Sequence, residues 1–160
     1  MKKLAVLMMP VLLTACGSSI GTIGAKEADI VRTQTYLMGY DEAWESVVDW
    51  FAEQNIPIDK MEKESGLISS KHSQAGRLDH LDCGTPTGSL GLYDAKFDAI
   101  YGNLNVIIRE KDEGTKVSMN LFGTADVIIR NGYGMVVSSV TEPCYSTGLL
   151  ESILFDSIDN

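Results

Sequence analysis

The chain has 160 residues, a formal net charge of −9, 44% hydrophobic and 22% charged residues. That is ordinary globular composition at the size of one domain, with enough apolar side chains for a core. So acidic a surface repels nucleic acid and anionic lipid headgroups, which argues against both as partners.

The chain opens on Lys2 and Lys3, runs through an almost unbroken apolar stretch from Leu4 to Leu13, and closes that stretch with Leu13-Thr14-Ala15-Cys16. This is the pattern of a signal peptide over residues 1–15, too short for a permanent membrane span. Leu13-Thr14-Ala15-Cys16 resembles the lipobox of bacterial lipoproteins. The resemblance implies export, diacylation of the Cys16 thiol, cleavage before Cys16 and acylation of the new amine with a fatty acid such as palmitate. The alternative is an ordinary secretory signal with an incidental cysteine. Gly17, and not Asp, follows Cys16. In the lipoproteins this leader resembles, that implies a lipid-anchored place at the outer membrane, facing the periplasm.

Removing the leader takes away two lysines and no acids, leaving 11 basic against 22 acidic residues, or −11. Anchoring therefore falls to the acyl chains, of which two or three hold essentially permanently. With Cys16 committed to lipid, Cys83 and Cys144 remain as a pair in an oxidising compartment. Bridged, they close a loop of roughly 60 residues, for which loop-closure entropy gives ~4 kcal/mol. The alternative is two free buried thiols.

In chain order, residues 16–28 are Gly-, Ser- and Thr-rich and read as a flexible tether with a reach of only ~20 Å. Residues 29–160 read as a single domain. Val31 to Met38 has the β-branched and aromatic residues of a first strand. A helix follows, with Asp41 as N-cap, Glu42 and Glu45 in the first turn, and Trp44, Val47, Val48 and Phe51 on one stripe. Pro57 stops it near Asn55. Trp50 lies off that stripe, either making a second contact or exposed. Ile56 to Lys63 and Leu67 to His72 read as a hairpin around Glu64-Ser65-Gly66. The stretch Ser73 to Asp94 is Gly-rich and aperiodic, a long loop tied down by Cys83.

Lys96 to Arg109 and Thr115 to Ile129 alternate apolar and polar residues, as strands of a sheet with one wet face do. Gly123 marks a bulge in the second. A shorter strand covers Met135 to Val140. The last element is a helix capped by Ser146 or Thr147, with Leu149, Leu150, Ile153, Leu154 and Ile158 on its apolar face. The order β-α-β-β-loop-β-β-β-α predicts an α+β domain, an antiparallel sheet with two amphipathic helices packed on one face.

Tyr40-Asp41-Glu42-Ala43-Trp44 through Gly66-Leu67-Ile68-Ser69-Ser70 resembles the helix, strand, Gly turn and strand that open the helix-grip domains of BamC-type outer-membrane lipoproteins. The similarity covers roughly thirty residues and implies a fold and an envelope location, with no binding residue carried over. The chain departs from that type in its single domain, short tether and Cys83/Cys144 pair.

The catalytic inventory is thin. His80 in Asp79-His80-Leu81-Asp82-Cys83 has acidic neighbours, but a metal site needs three or four convergent ligands, and adjacent loop residues rarely converge. His72 sits at a strand end. Gly84-Thr85-Pro86-Thr87-Gly88-Ser89-Leu90-Gly91 lacks the Lys-Ser/Thr ending of a phosphate-cradling loop, and Ser89 is in no Gly-x-Ser-x-Gly elbow. Glu45 and Asp49 at i, i+4 read as a solvated face. No cofactor motif or metal set is present in the sequence.

Three functions are weighed. The first is a non-enzymatic scaffold or assembly module that binds an envelope protein through loop 73–94 and the sheet positions Tyr93, Phe97 and Tyr101. The second is a periplasmic small-molecule or lipid carrier with Met38, Met61, Met119 and Met135 lining a cavity beneath the terminal helix. The third is a hydrolase built on His80 with Ser89 or two carboxylates. The first is the expected one.

Overall fold

The computed structural model describes residues 20–73, 78–88 and 94–159. The leader, Cys16, Ser89 and Tyr93 lie outside the described residues. Among the described residues, seven strands form one antiparallel sheet, and two helices pack on one of its faces.

The spine is a hairpin of β7 (Asp94–Lys111) and β8 (Gly114–Arg130). Their alternation does what period-two patterning requires: Leu104, Val106, Ile108, Val117, Met119 and Leu121 are all buried on the helix side. Gly114 closes the turn at φ +123°, and a Cβ there would run into the Tyr36 carbonyl. On the other side of β7 lies β4 (Leu67–Ser73), with β3 (Lys60–Glu62) at its edge. The free edge of β8 is shared between β2 (Thr33–Tyr36), which pairs with residues 115–118, and β9 (Val136–Ser146), which pairs with residues 122–130. β5 (Leu81–Asp82) closes on the end of β9.

α1 (Tyr40–Glu53) and α2 (Leu149–Ile158) touch each other as well as the sheet. That double contact explains Trp50. It is 1% exposed and meets Phe51 edge-on at 5.2 Å, because α1 buries a wider arc than one stripe. The α1 N-cap is Gly39, not Asp41. Asp41 sits in the first turn and pairs with Lys63 Nζ at 2.9 Å, which raises the lysine's pKa. Gly148, not Ser146 or Thr147, precedes α2, with φ +86°. Ser146 instead ends β9, and its hydroxyl donates to the buried Glu151 Oε2 at 2.7 Å. The α2 face is largely the expected one, with Leu150, Leu154 and Ile158 buried and Ile153 packed on the core; Leu149 is exposed instead, and Phe155 joins the buried side. Phe155 is also where β2 is tied down, its carbonyl accepting the Tyr36 hydroxyl at 3.2 Å. Burial, reinforced by Asp159 and Asp156, pushes the Tyr36 phenol well above the usual tyrosine range, so it stays a neutral donor.

Four further expectations are corrected. Part of the presumed tether is ordered: β1 (Gly21–Ile23) pairs antiparallel with β6 (Thr85–Thr87). The 73–94 stretch is therefore not structureless, since it supplies both β5 and β6. The Cys83–Cys144 disulfide, with Cα atoms 4.3 Å apart, holds this strap to β9. Gly123 is no bulge. It pairs in register with Gly102 and Cys144, and a Cβ would strike the Tyr101 carbonyl at 2.5 Å and Leu81 Cδ1 at 2.8 Å. Glycine is there so that Leu81 can lie on the sheet. The irregularities fall instead between Phe97 and Ala99 and between Ile129 and Arg130. β9 also outruns its expected end by six residues, since Thr141–Ser146 continue the pairing with β8 and β5.

Candidate functional site

Because the helices occupy one face, the alternate residues of β4, β7, β8 and β9 stand on the other. Cross-strand pairing sets them in rows: Lys71, Asn103, Phe122 and Tyr145 in one, Ser69, Asn105 and Asn120 in the next, Tyr101 and Thr124 in a third. Tyr101 is 47% exposed and Phe122 is 50% exposed. They occupy diagonal positions on the adjacent strands β7 and β8. Around them are amides and hydroxyls, including Thr33 Oγ1, which donates to Ser118 Oγ at 3.0 Å. This face offers an aromatic pair in a polar frame, the composition of a protein-contact surface.

Tyr101 is thus placed as expected, but Phe97 is not. An uninterrupted strand would put 97, 99 and 101 on one side. The bulge at Asp98 shifts the register, so Phe97 pairs with Val127 and packs against the core from the helix side. Tyr93, the third expected contact, lies outside the described residues. Phe122 escaped the sequence reading although its signal was present: it follows Ser118 and Asn120 on the wet alternation of β8.

The His80 cluster ties the 78–82 segment to the residue pair before α2. His80 is 3% exposed, with Nε2 3.7 Å from Asp79 Oδ2. Its carbonyl accepts the Thr147 N–H at 3.1 Å, and the Asp79 carbonyl accepts the Thr147 hydroxyl at 2.7 Å. The Asp82 carboxylate accepts backbone N–H groups of Gly84 at 2.8 Å and Lys26 at 3.2 Å, fastening the β1–β6 ribbon. Among the described residues, no group of three or more His, Cys, Asp or Glu is placed to hold a metal ion. Glu45 and Asp49 stand exposed beside Met61 on a shallow groove.

The four methionines do not share a cavity. Met119 is fully buried in the sheet, Met38 is half-buried, and Met61 and Met135 are 53% and 59% exposed at distant edges. An open groove of about 660 Å³ does run beside α2, lined by Ile30, Val31, Leu149, Phe155 and Asp156 among others. Among the described residues no helix is long and apolar enough to cross a membrane. The chain matches no protein-family model and no curated protein.

Proposed function

We propose that the chain is a non-enzymatic lipoprotein of the cell envelope, anchored at the outer membrane through acyl chains on Cys16, whose helix-grip-type domain binds another envelope protein as a scaffold or assembly module. The observation that carries the binding role is the sheet face opposite the helices, with Tyr101 and Phe122 both half exposed on adjacent strands. Exposed aromatics in a polar frame are the residues that most often anchor protein contacts. The Cys83–Cys144 disulfide supports an oxidising compartment, in keeping with the lipobox-like leader. The second reading, a carrier of small molecules or lipids, draws on the groove beside α2.

Crosslinking in intact cells, followed by mass spectrometry, tests the binding role. Tyr101→Ala combined with Phe122→Ala is expected to remove the principal crosslinked partner, since each truncated anchor costs about 1–2 kcal/mol of affinity. Both side chains are half exposed on an open face, so thermal stability is expected to stay within about 0.5 kcal/mol per site. An unchanged set of crosslinked proteins would contradict this use of the face.

A further inference from the structure

We propose that the tip of the β8–β9 hairpin dips into the lipid interface on which the chain is anchored. This rests on the anchored reading above and adds a second point of membrane contact to it.

Among the described residues, the tip holds the longest run of exposed apolar side chains. Tyr133 is 91% exposed, Met135 59%, Val136 49% and Val137 52%. Between Asp126 and Glu142 the sequence has no acid, and Arg130 is its only charge. Arg130 stands across from Asp94 and 4.0 Å from Asp98 on β7, and the residues beyond it, Asn131 to Val137, carry no charge. Tyrosine is the residue type enriched at membrane–water boundaries, and an arginine behind it can keep its guanidinium at the headgroups.

The tip also carries its own hydrogen bonds. Asn131 Oδ1 accepts from Tyr133 N–H at 3.0 Å and Met135 N–H at 3.1 Å. The Asn131 carbonyl accepts from Gly134 N–H at 2.8 Å, and Asn131 N–H donates to the Met135 carbonyl at 3.0 Å. Arg130 Nη1 donates to the Gly134 carbonyl at 2.9 Å. Such a turn surrenders few water contacts on entering a less polar layer, where unsatisfied backbone groups are costly.

The course of the N-terminal strand decides which surface the tip meets. β1 runs beside β9, and a Cβ on Gly21 would meet Glu142 Oε1 at 2.6 Å. Gly21 pairs with Thr87, and the next residue, Gly88, packs against Ile129 close to the tip. Read backward from Ile23 to Gly21, the chain therefore heads for the tip end of the sheet. From Glu142 to Val136 is about 20 Å along β9. Cys16 is five residue steps before Gly21, with a reach of at most about 17 Å. A bilayer holding the Cys16 acyl chains is thus within about 17 Å of Gly21, close enough for the tip to meet it. The acidic turn at Asp112 and Glu113 is at the other end of β8, about 50 Å away.

The test uses the full acylated chain in vesicles of phosphatidylethanolamine and phosphatidylglycerol, spin-labelled through Tyr133→Cys or Asp112→Cys. The label at 133 is expected to lose accessibility to an aqueous nickel chelate and gain it to oxygen, while the label at 112 keeps its aqueous accessibility. Tyr133→Trp, which adds no thiol, is expected to shift its emission to the blue and to be quenched by brominated lipid, against the buried background of Trp44 and Trp50. A chain that stays on the vesicles with 133 as water-accessible as 112 overturns this inference and leaves the anchor standing. A chain that floats free overturns both. Dipolar broadening between labels at 133, persisting in detergent, assigns the tip to a second copy and also overturns it.

Discussion

Cys83→Ser and Cys144→Ser are each expected to cost about 4 kcal/mol, the loop-closure entropy of a crosslink spanning 61 residues. For a domain of this size that is a fall of about 10 °C in Tm. The two variants, and the reduced wild type, are expected to melt together, because each removes the same bond. The loss has a location as well as a size. β5 pairs with β9 through two residues, and among the described residues β6 pairs with β1 alone, so the bond is the one covalent tie on a strap otherwise held by hydrogen bonds and the packing of Leu81. Hydrogen exchange at β1, β5 and β6 is expected to quicken before the β7–β8 hairpin is affected, as the least-tethered unit opens first. Calorimetry showing unequal losses, or exchange spread evenly over the sheet, would contradict this division of labour.

Phe155→Ala is expected to cost about 3–5 kcal/mol, the range for removing a buried aromatic from a core that collapses incompletely. Leu149→Ala, six residues earlier on the same helix, is expected to change stability by no more than about 0.5 kcal/mol. Phe155 is 4% exposed and lies where α2, β2 and the sheet meet, whereas Leu149 is 42% exposed at the start of the helix. Denaturant unfolding of the two variants tests the two positions, Phe155 and Leu149, at which the buried face of α2 departs from its apolar spacing. Similar losses for both would mean the helix sits as the spacing alone implies.

That contrast shows where the sequence was readable. The long alternation in β7 and β8 placed their buried rows correctly, because a period of two leaves no choice of face once the pairing is antiparallel. The α1 stripe and the Gly66 turn were equally legible, each depending on neighbours in the chain. What was hidden depended on distant partners. Trp50 is inside because α2 lies against α1, and Glu151 is inside because Ser146 meets it. Gly123 is small for the sake of Leu81, forty-odd residues before it. Phe97 turned inward because of a one-residue shift that no local pattern announces. The β1–β6 ribbon pairs segments over sixty residues apart, so a Gly-rich N-terminal stretch read in isolation resembles a tether.

The same distinction applies to the candidate site. Tyr101 was visible as an aromatic in a strand, and Phe122 could have been found by extending the wet alternation of β8. Their adjacency depends on the register between β7 and β8, which the two sequences alone do not display.

Both the scaffold role and the membrane-dipping tip presuppose that the mature polypeptide starts at an acylated Cys16. The intact mass of the protein extracted from membranes, with fatty-acid labelling of the same material, tests this most directly. The expected species lacks residues 1–15 and carries the added mass of its acyl chains. A species that keeps Met1, or one that begins later and bears no fatty acid, would contradict it.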